Sequence, residues 1–187
     1  MGQKFKGLSA IHTQFIAEQN MFFVATAAAD GRVNLSPKGL DAFRVISHNK
    51  IAWLNLTGSG NETAAHLLEH SRMTIMFCAF QGQPIILRLY GHAHALYQRD
   101  LDEADSEWEM YAQHFNLIEG ARQIFVMELD LVQTSCGMAV PLFEFQSQRN
   151  QLVDWAKDKG KDGVAQYWLD KNQLSLDQKP TGIIKNK

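Results

Sequence analysis

Residues 56–70, LTGSGNETAAHLLEH, hold two conflicting patterns. Gly58 and Gly60 open a glycine-rich turn into a helix, in the manner of nucleotide-binding loops. His66 to His70 spells H-x-x-E-H, a zinc motif of one metallopeptidase class. The segments on either side decide the fold. MFFVATAA (21–28), VNLSPKG (33–39) and KIAWLNL (50–56) read as strands before the turn. RMTIMFCAF (72–80), PIILRLYGHAHALY (84–97) and RQIFVMELDLVQTSCG (122–137) read as strands after it. A dinucleotide fold needs a small residue at the position of Thr63 and a β-α-β unit feeding a parallel sheet. Here the two following strands are joined only by Gln81-Gly82-Gln83-Pro84, which makes them antiparallel neighbours. Six such strands with few helices predict a mainly β (α+β) protein, a closed or partly closed antiparallel barrel with peripheral helices.

Further out, Asp30-Gly31 turns the first two strands into a hairpin, because Asp-Gly favours positive φ. Residues 8–19 place Leu8, Ile11, Phe15 and Ile16 at helical spacing. Ser59 and Glu62 have capping-box spacing for the helix NETAAHLLEH, with Leu67 and Leu68 expected inward and both histidines partly exposed. Residues 101–115 set Trp108, Tyr111 and Phe115 at helical spacing. QLVDWAKDKG and GVAQYWLDKNQ read as two further helices, and the tail beyond Leu176 reads as loose. One domain over 1–187 is expected, with a barrel core over about 20–137 and a helical extension over about 148–176.

The composition is that of an ordinary globular chain: 187 residues, 45% hydrophobic and 20% charged. A net charge of -2 argues against general attraction to nucleic acid or an anionic membrane. No apolar run approaches the roughly 20 residues of a membrane span. The amino terminus lacks a signal-peptide pattern. Two cysteines without a C-x-x-C motif point to a reducing compartment, so a cytoplasmic protein is expected.

The histidines support no metal site. His66 and His70 share a helix side, but a catalytic zinc needs a third protein ligand that nothing singles out. His92 and His94 share a strand face, where a solvated polar row is the simpler reading. The turn itself remains a candidate anion site. A helix amino terminus offers unsatisfied N–H groups and partial positive charge. Thr57, Ser59, Asn61 and Thr63 add donors around it. A purely structural turn and cap is an equal alternative from local sequence alone.

Taken together, FFVATAAADGRVNLSPKG, LNLTGSGNETAAHLLEHSRMTIMFCAF and ILRLYGHAHAL resemble the pyridoxamine 5'-phosphate oxidase-related, FMN-binding split-barrel family. VQTSCGMAVPLFEF and the segment from WAKDKG to LSLD resemble one bacterial branch of it. The resemblance implies a six-stranded antiparallel split barrel, usually a homodimer, with FMN in clefts at the subunit interface. Residue by residue it places Asn34, Leu35, Ser36 and Lys38 beside the flavin. Asn55, Leu56 and Thr57 would run along the ring and ribityl chain, and Ser59, Asn61, Glu62 and Thr63 would form the phosphate site.

The pattern also departs from the family. The vitamin B6 oxidases carry an Arg-Lys pair where this chain has Glu62-Thr63, and an arginine where it has Val33. Their carboxyl-terminal substrate-binding Arg-x-His is not evident. Vitamin B6 oxidation is therefore not implied. A carboxylate facing a phosphate is unfavourable; either Glu62 turns back as a cap, or Lys38 and Arg88 supply the missing charge. The resulting expectation is an FMN-binding flavoprotein, an oxidoreductase moving a hydride to or from a small substrate of unknown identity. A non-enzymatic binder of FMN or of another planar cofactor such as haem is the alternative. No catalytic acid or base stands out. Cys136 reads as a buried structural thiol in preference to a group near the flavin.

Overall fold

The computed structural model describes residues 2–102 and 106–185. Among the described residues there are eight strands: β1 (Gln3–Phe5), β2 (Phe22–Thr26), β3 (Asn34–Lys38), β4 (Phe43–Ser47), β5 (Lys50–Leu56), β6 (Arg72–Cys78), β7 (Ile85–Leu96) and β8 (Ala121–Cys136). Four helices accompany them: α1 (Ala10–Ala17), α2 (Glu62–Glu69), α3 (Trp108–Ala112) and α4 (Gln151–Lys171). Every pairing is antiparallel, in the order β3-β2-β6-β7-β8-β5-β4, with β1 added to β8. The six expected strands are thus present, joined by β1 and β4. The strand FRVIS went unread because it is short and joined to β5 by a tight turn at His48-Asn49.

The sheet curls without closing. Phe22 on β2 and Phe43 on β4 lie near opposite ends of the strand order, yet their ring centroids are 5.0 Å apart. Phe43 also meets Phe77 at 5.1 Å, and Trp53 stacks on Phe125 at 4.6 Å. These aromatic rings fill the interior, where truncating Phe125 to Ala would cost about 3–5 kcal/mol. No backbone pairing joins β3 to β4 or β5, and that seam is the split of the barrel. Two glycines fix the curvature. Gly31 has φ +90 at the hairpin tip, and at Gly91, beside a bulge, a Cβ would sit 1.9 Å from the Glu128 carbonyl oxygen.

Several local expectations change. Helix α2 buries Thr63, Ala64, Ala65 and His66, while Leu68 is 60% exposed. The small alanines let the helix approach the sheet closely, and His66 meets Thr26 Oγ1 at 3.0 Å from its Nδ1, while its buried Nε2 has no partner in the protein. The helix expected over 101–115 is short, and residues 103–105 lie outside the described residues. The two carboxyl-terminal helices meet at Gly160, whose φ of +66 breaks α4, and Trp155 packs on Tyr167 across the break. The tail is tied down. Arg32 pairs with Asp177, Lys179 bridges Asp30 and Glu69, and Ile183 is buried. Among the described residues no helix is long and apolar enough to cross a membrane.

Candidate functional site

After β5 the chain enters the glycine turn, and the carboxyl-terminal segment holds that turn from behind. Asn172, fully buried, donates from Nδ2 to the Gly58 and Ser59 carbonyls at 3.2 and 3.4 Å. Arg122 donates to the Gly60 carbonyl at 3.0 Å and to Asn172 Oδ1 at 2.6 Å. Thr57 Oγ1 donates to the Gly120 carbonyl and accepts from Trp168 Nε1, both at 2.8 Å. Three successive carbonyls are therefore satisfied before the helix begins.

The helix begins later than its capping-box spacing suggests. Asn61 is the N-cap, with φ -139 and ψ 40, and no side chain caps the first turn. Both Glu62 carboxylate oxygens instead accept from the Leu176 N–H, at 3.0 and 3.1 Å. The first-turn N–H groups keep their partial positive charge. Of the two alternatives for Glu62, neither holds as stated: the carboxylate turns to the carboxyl-terminal segment.

Besides Lys38, the cation at this site is Arg122, which the sequence reading missed. Asn55 pairs with Gln123 and Leu56 with Ala121, so Arg122 is the extra residue of a β-bulge. A bulge re-aims a side chain and lets adjacent residues face the same way. Arg122 (5% exposed) and Gln123 (0%) are both buried, and Gln123 Oε1 accepts from Asn55 Nδ2 at 2.8 Å and from Arg122 Nε at 3.1 Å. Burial pulls the Arg122 guanidinium down to about 10. Lys38, across the split, lies with Nζ 5.3 Å from the Trp53 ring centroid; burial first, and Arg122 second, lower its pKa to about 8. Among the described residues neither cation pairs with a carboxylate.

These groups enclose a cleft of about 280 Å³ at the mouth of the split. Asn34, Ser36 and Lys38 line it from β3, where alternation turns them inward. Asn55, Ser59, Asn61, Glu62 and Thr63 line it from β5, the turn and α2, with Gly58, Gly60 and Arg122. A polar chain runs along one wall: Ser36 Oγ donates to Asn34 Oδ1 at 2.8 Å, and Asn34 Nδ2 to Thr63 Oγ1 at 3.2 Å. Asn61 is 2% exposed, yet neither its Nδ2 nor its Oδ1 has a partner in the protein. A buried amide left so costs roughly 1–3 kcal/mol, which a ligand in the cleft would recover. A Cβ at Gly58 would meet no protein atom.

Four expected site residues lie elsewhere. Leu35 points outward from β3 and is 63% exposed. Leu56 packs against the core. Thr57 spends its hydroxyl on Gly120 and Trp168. Arg88 sits on β7 and donates to Ser135 Oγ at 3.0 Å, away from the cleft. Cys136 is exposed and not buried as expected, because β8 ends there, opposite Ile85 at the start of β7. His66 Nδ1 is engaged by Thr26, and His92 and His94 are exposed beside Ser71 and Glu107.

An open antiparallel split barrel with a polar, cationic cleft at its seam defines a recognisable class. The sequence profile of the pyridoxamine 5'-phosphate oxidase family matches residues 8–136, and the chain belongs to that family. It is similar to the pyridoxamine 5'-phosphate oxidase family protein ustO of Aspergillus flavus, at 36% identity over 94% of this chain and 76% of that one. Among solved structures it resembles a putative pyridoxamine 5'-phosphate oxidase from Lactobacillus delbrueckii. There the TM-score is 0.51 at 15% identity, over 68% of this chain and 94% of that one. It also resembles HupZ of Group A Streptococcus, with a TM-score of 0.50 at 17% identity over 68% and 98%. At such identities these two structures speak for the fold alone.

Proposed function

We propose that the cleft binds FMN and that the protein is an FMN-dependent oxidoreductase acting on a small substrate. The observation that carries this reading is the cleft's donor set. Two cations without carboxylate partners, an uncapped helix amino terminus and an orphaned Asn61 amide together suit a phosphate-bearing ligand. Asn61, Thr63 and Arg122 would hold the phosphate. Asn34, Ser36, Lys38 and Asn55 would contact the remainder, and Ser59 and Glu62 would border it. FMN when bound supplies the hydride chemistry, while the protein orients it and keeps water from it. The lining offers no His, Cys, Met or Tyr, the residues that usually hold haem iron, which argues against the haem alternative.

The same reading includes a homodimer that covers the cleft. Val33 (73% exposed) precedes the edge strand β3 and Leu35 points outward from it, and Met138 (83%) and Leu142 (76%) stand out in the chain after β8. Such a surface is suited to burial against a second copy. The deciding experiment is the visible spectrum of purified protein after FMN addition, with light scattering in parallel. Flavin bands that bleach with a nicotinamide donor, on a particle of twice the 21.2 kDa chain mass, support the reading. Absence of FMN binding by fluorescence titration overturns it.

A further inference from the structure

Beside the cofactor cleft lies a second cavity of about 780 Å³, and Lys38 belongs to the walls of both. One wall is the end of β3 and the turn that follows, Pro37 to Leu40. The opposite wall is the strap formed by residues 145–152, and Asn20 and Met21 border the space. The turn is conformationally unusual: Leu40 and Asp41 have φ of +62 and +52, a region that residues other than glycine seldom enter. Arg44 clamps the Asp41 carboxylate through two nitrogens at 2.8 and 2.9 Å, which holds that geometry. Gln148 fixes the strap against the turn. Its Nε2 donates to the Asn20 carbonyl at 3.0 Å, and its Oε1 accepts from the Leu40 N–H at 3.3 Å.

The cavity differs in chemistry from its neighbour. Met21, Pro37, Leu40, Phe145 and Leu152 make it apolar, and Phe145 and Leu152 remain 45% and 37% exposed. The only charged residues lining it are Lys38 and Arg149, both cations, with no carboxylate among them. An apolar body with one negative charge complements such walls, whereas a cation or a highly polar molecule does not.

We propose that this cavity is the substrate subsite and that it takes an apolar organic anion, a carboxylate with an aromatic or long aliphatic body. Its body packs on Met21, Leu40 and Phe145, and its charge is answered by Lys38 and Arg149. The word substrate rests on the FMN reading of the adjoining cleft; the binding chemistry does not. Sharing Lys38, the two cavities place such a ligand directly beside the cofactor's position.

The test uses the full chain, with and without FMN. Calorimetry would compare 2-naphthoate with its neutral isostere 2-naphthamide, while FMN affinity is followed separately by flavin fluorescence. The expected result is one naphthoate per chain, at least tenfold tighter than the amide. Arg149→Glu and Phe145→Ser should each weaken naphthoate about tenfold and leave FMN affinity unchanged, since neither residue lines the cofactor cleft. Equal binding of acid and amide, or an indifferent Arg149→Glu, would overturn the proposal. So would absent naphthoate binding in a dimer that Phe145→Ser converts to monomer, because the cavity would then belong to a second copy. Failure of FMN to bind while naphthoate behaves as expected would overturn the cofactor reading and leave the anion site standing.

Discussion

The chain beyond β8 divides into two stretches with opposite characters. Residues 138–150 have no regular structure, are exposed at nearly every position, and are held by a few ties such as the Phe143 N–H to the Phe80 carbonyl at 3.0 Å. Residues 151–185 bury Asn172, Ser175 and Thr181 and reach the glycine turn, α2 and the hairpin tip. The first stretch borders the front of the site and the second forms its back. The difference shows where order is required. A buried arginine and three turn carbonyls must have fixed partners, or their desolvation goes uncompensated. An apolar border has no such obligation.

The sharpest way to break this contrast is Asn172→Ala. It strips Arg122 of its 2.6 Å partner and two carbonyls of their donor. Stability in a urea titration should fall by about 2–4 kcal/mol, against about 0.5 kcal/mol or less for Gln146→Ser in the exposed stretch. Equal effects would mean that the back of the site is no more ordered than the front. Arg122→Met reads binding and stability together. It removes a desolvated cation but leaves the Gly60 carbonyl and Asn172 Oδ1 without their donor, so stability should fall by about 1–3 kcal/mol. FMN affinity should drop by about 1.5–3 kcal/mol, read by fluorescence titration.

The next effect is one of pH. Lys38 has its pKa lowered to about 8 from 10.5, so it is mostly charged at neutral pH. An anion in the cleft favours the charged form and raises that pKa. FMN affinity should therefore fall as pH rises above about 8, by at most tenfold per unit for one proton. Lys38→Met should flatten the profile. The apo protein should show the opposite trend, gaining stability from about pH 8 upward. There the folded chain has released a proton that the unfolded chain still holds.

The smallest effect lies at the tail. The hydrogen bonds and charge of Lys179 hold the Asp30 and Glu69 carboxyls below their usual range, and Lys179 itself is pushed up to about 12. Their folded pKa values being depressed, this contribution is complete at neutral pH and is lost as pH falls through the carboxylate range. Lys179→Met should lower the melting temperature slightly at pH 7 and by less as the pH falls through the carboxylate range.

Much of the architecture could be read from alternation and turn chemistry. Asp30-Gly31 located the first hairpin, and the Gln81-Gly82-Gln83-Pro84 turn made β6 and β7 antiparallel. On β3 the period of two corrects the resemblance, since it turns Asn34, Ser36 and Lys38 into one cleft and Leu35, expected beside them, away from it. What escaped has a common physical cause. Arg122 sits at a bulge, where alternation fails by definition, and ARQIF gives no turn residue to announce it. Glu62 answers to Leu176, a partner 114 positions away that no local pattern can specify. His66 is buried because alanines bring α2 close to the sheet, although its sequence neighbours Leu67 and Leu68 looked the better candidates.

The bracing by Asn172 also dictates an order of events during synthesis. Its partners, Gly58 and Ser59, precede it by more than 110 residues. A growing chain can complete every strand pairing once Cys136 has emerged, because β8 is the last strand of the sheet. The glycine turn, however, stays without its rear support until residue 172 is free to fold. Contacts so distant along the chain close late. The nascent protein thus passes through a stage with a finished barrel and an unfinished pocket. A ribosome stalled before residue 172 therefore displays a β-sheet whose glycine turn still lacks its brace.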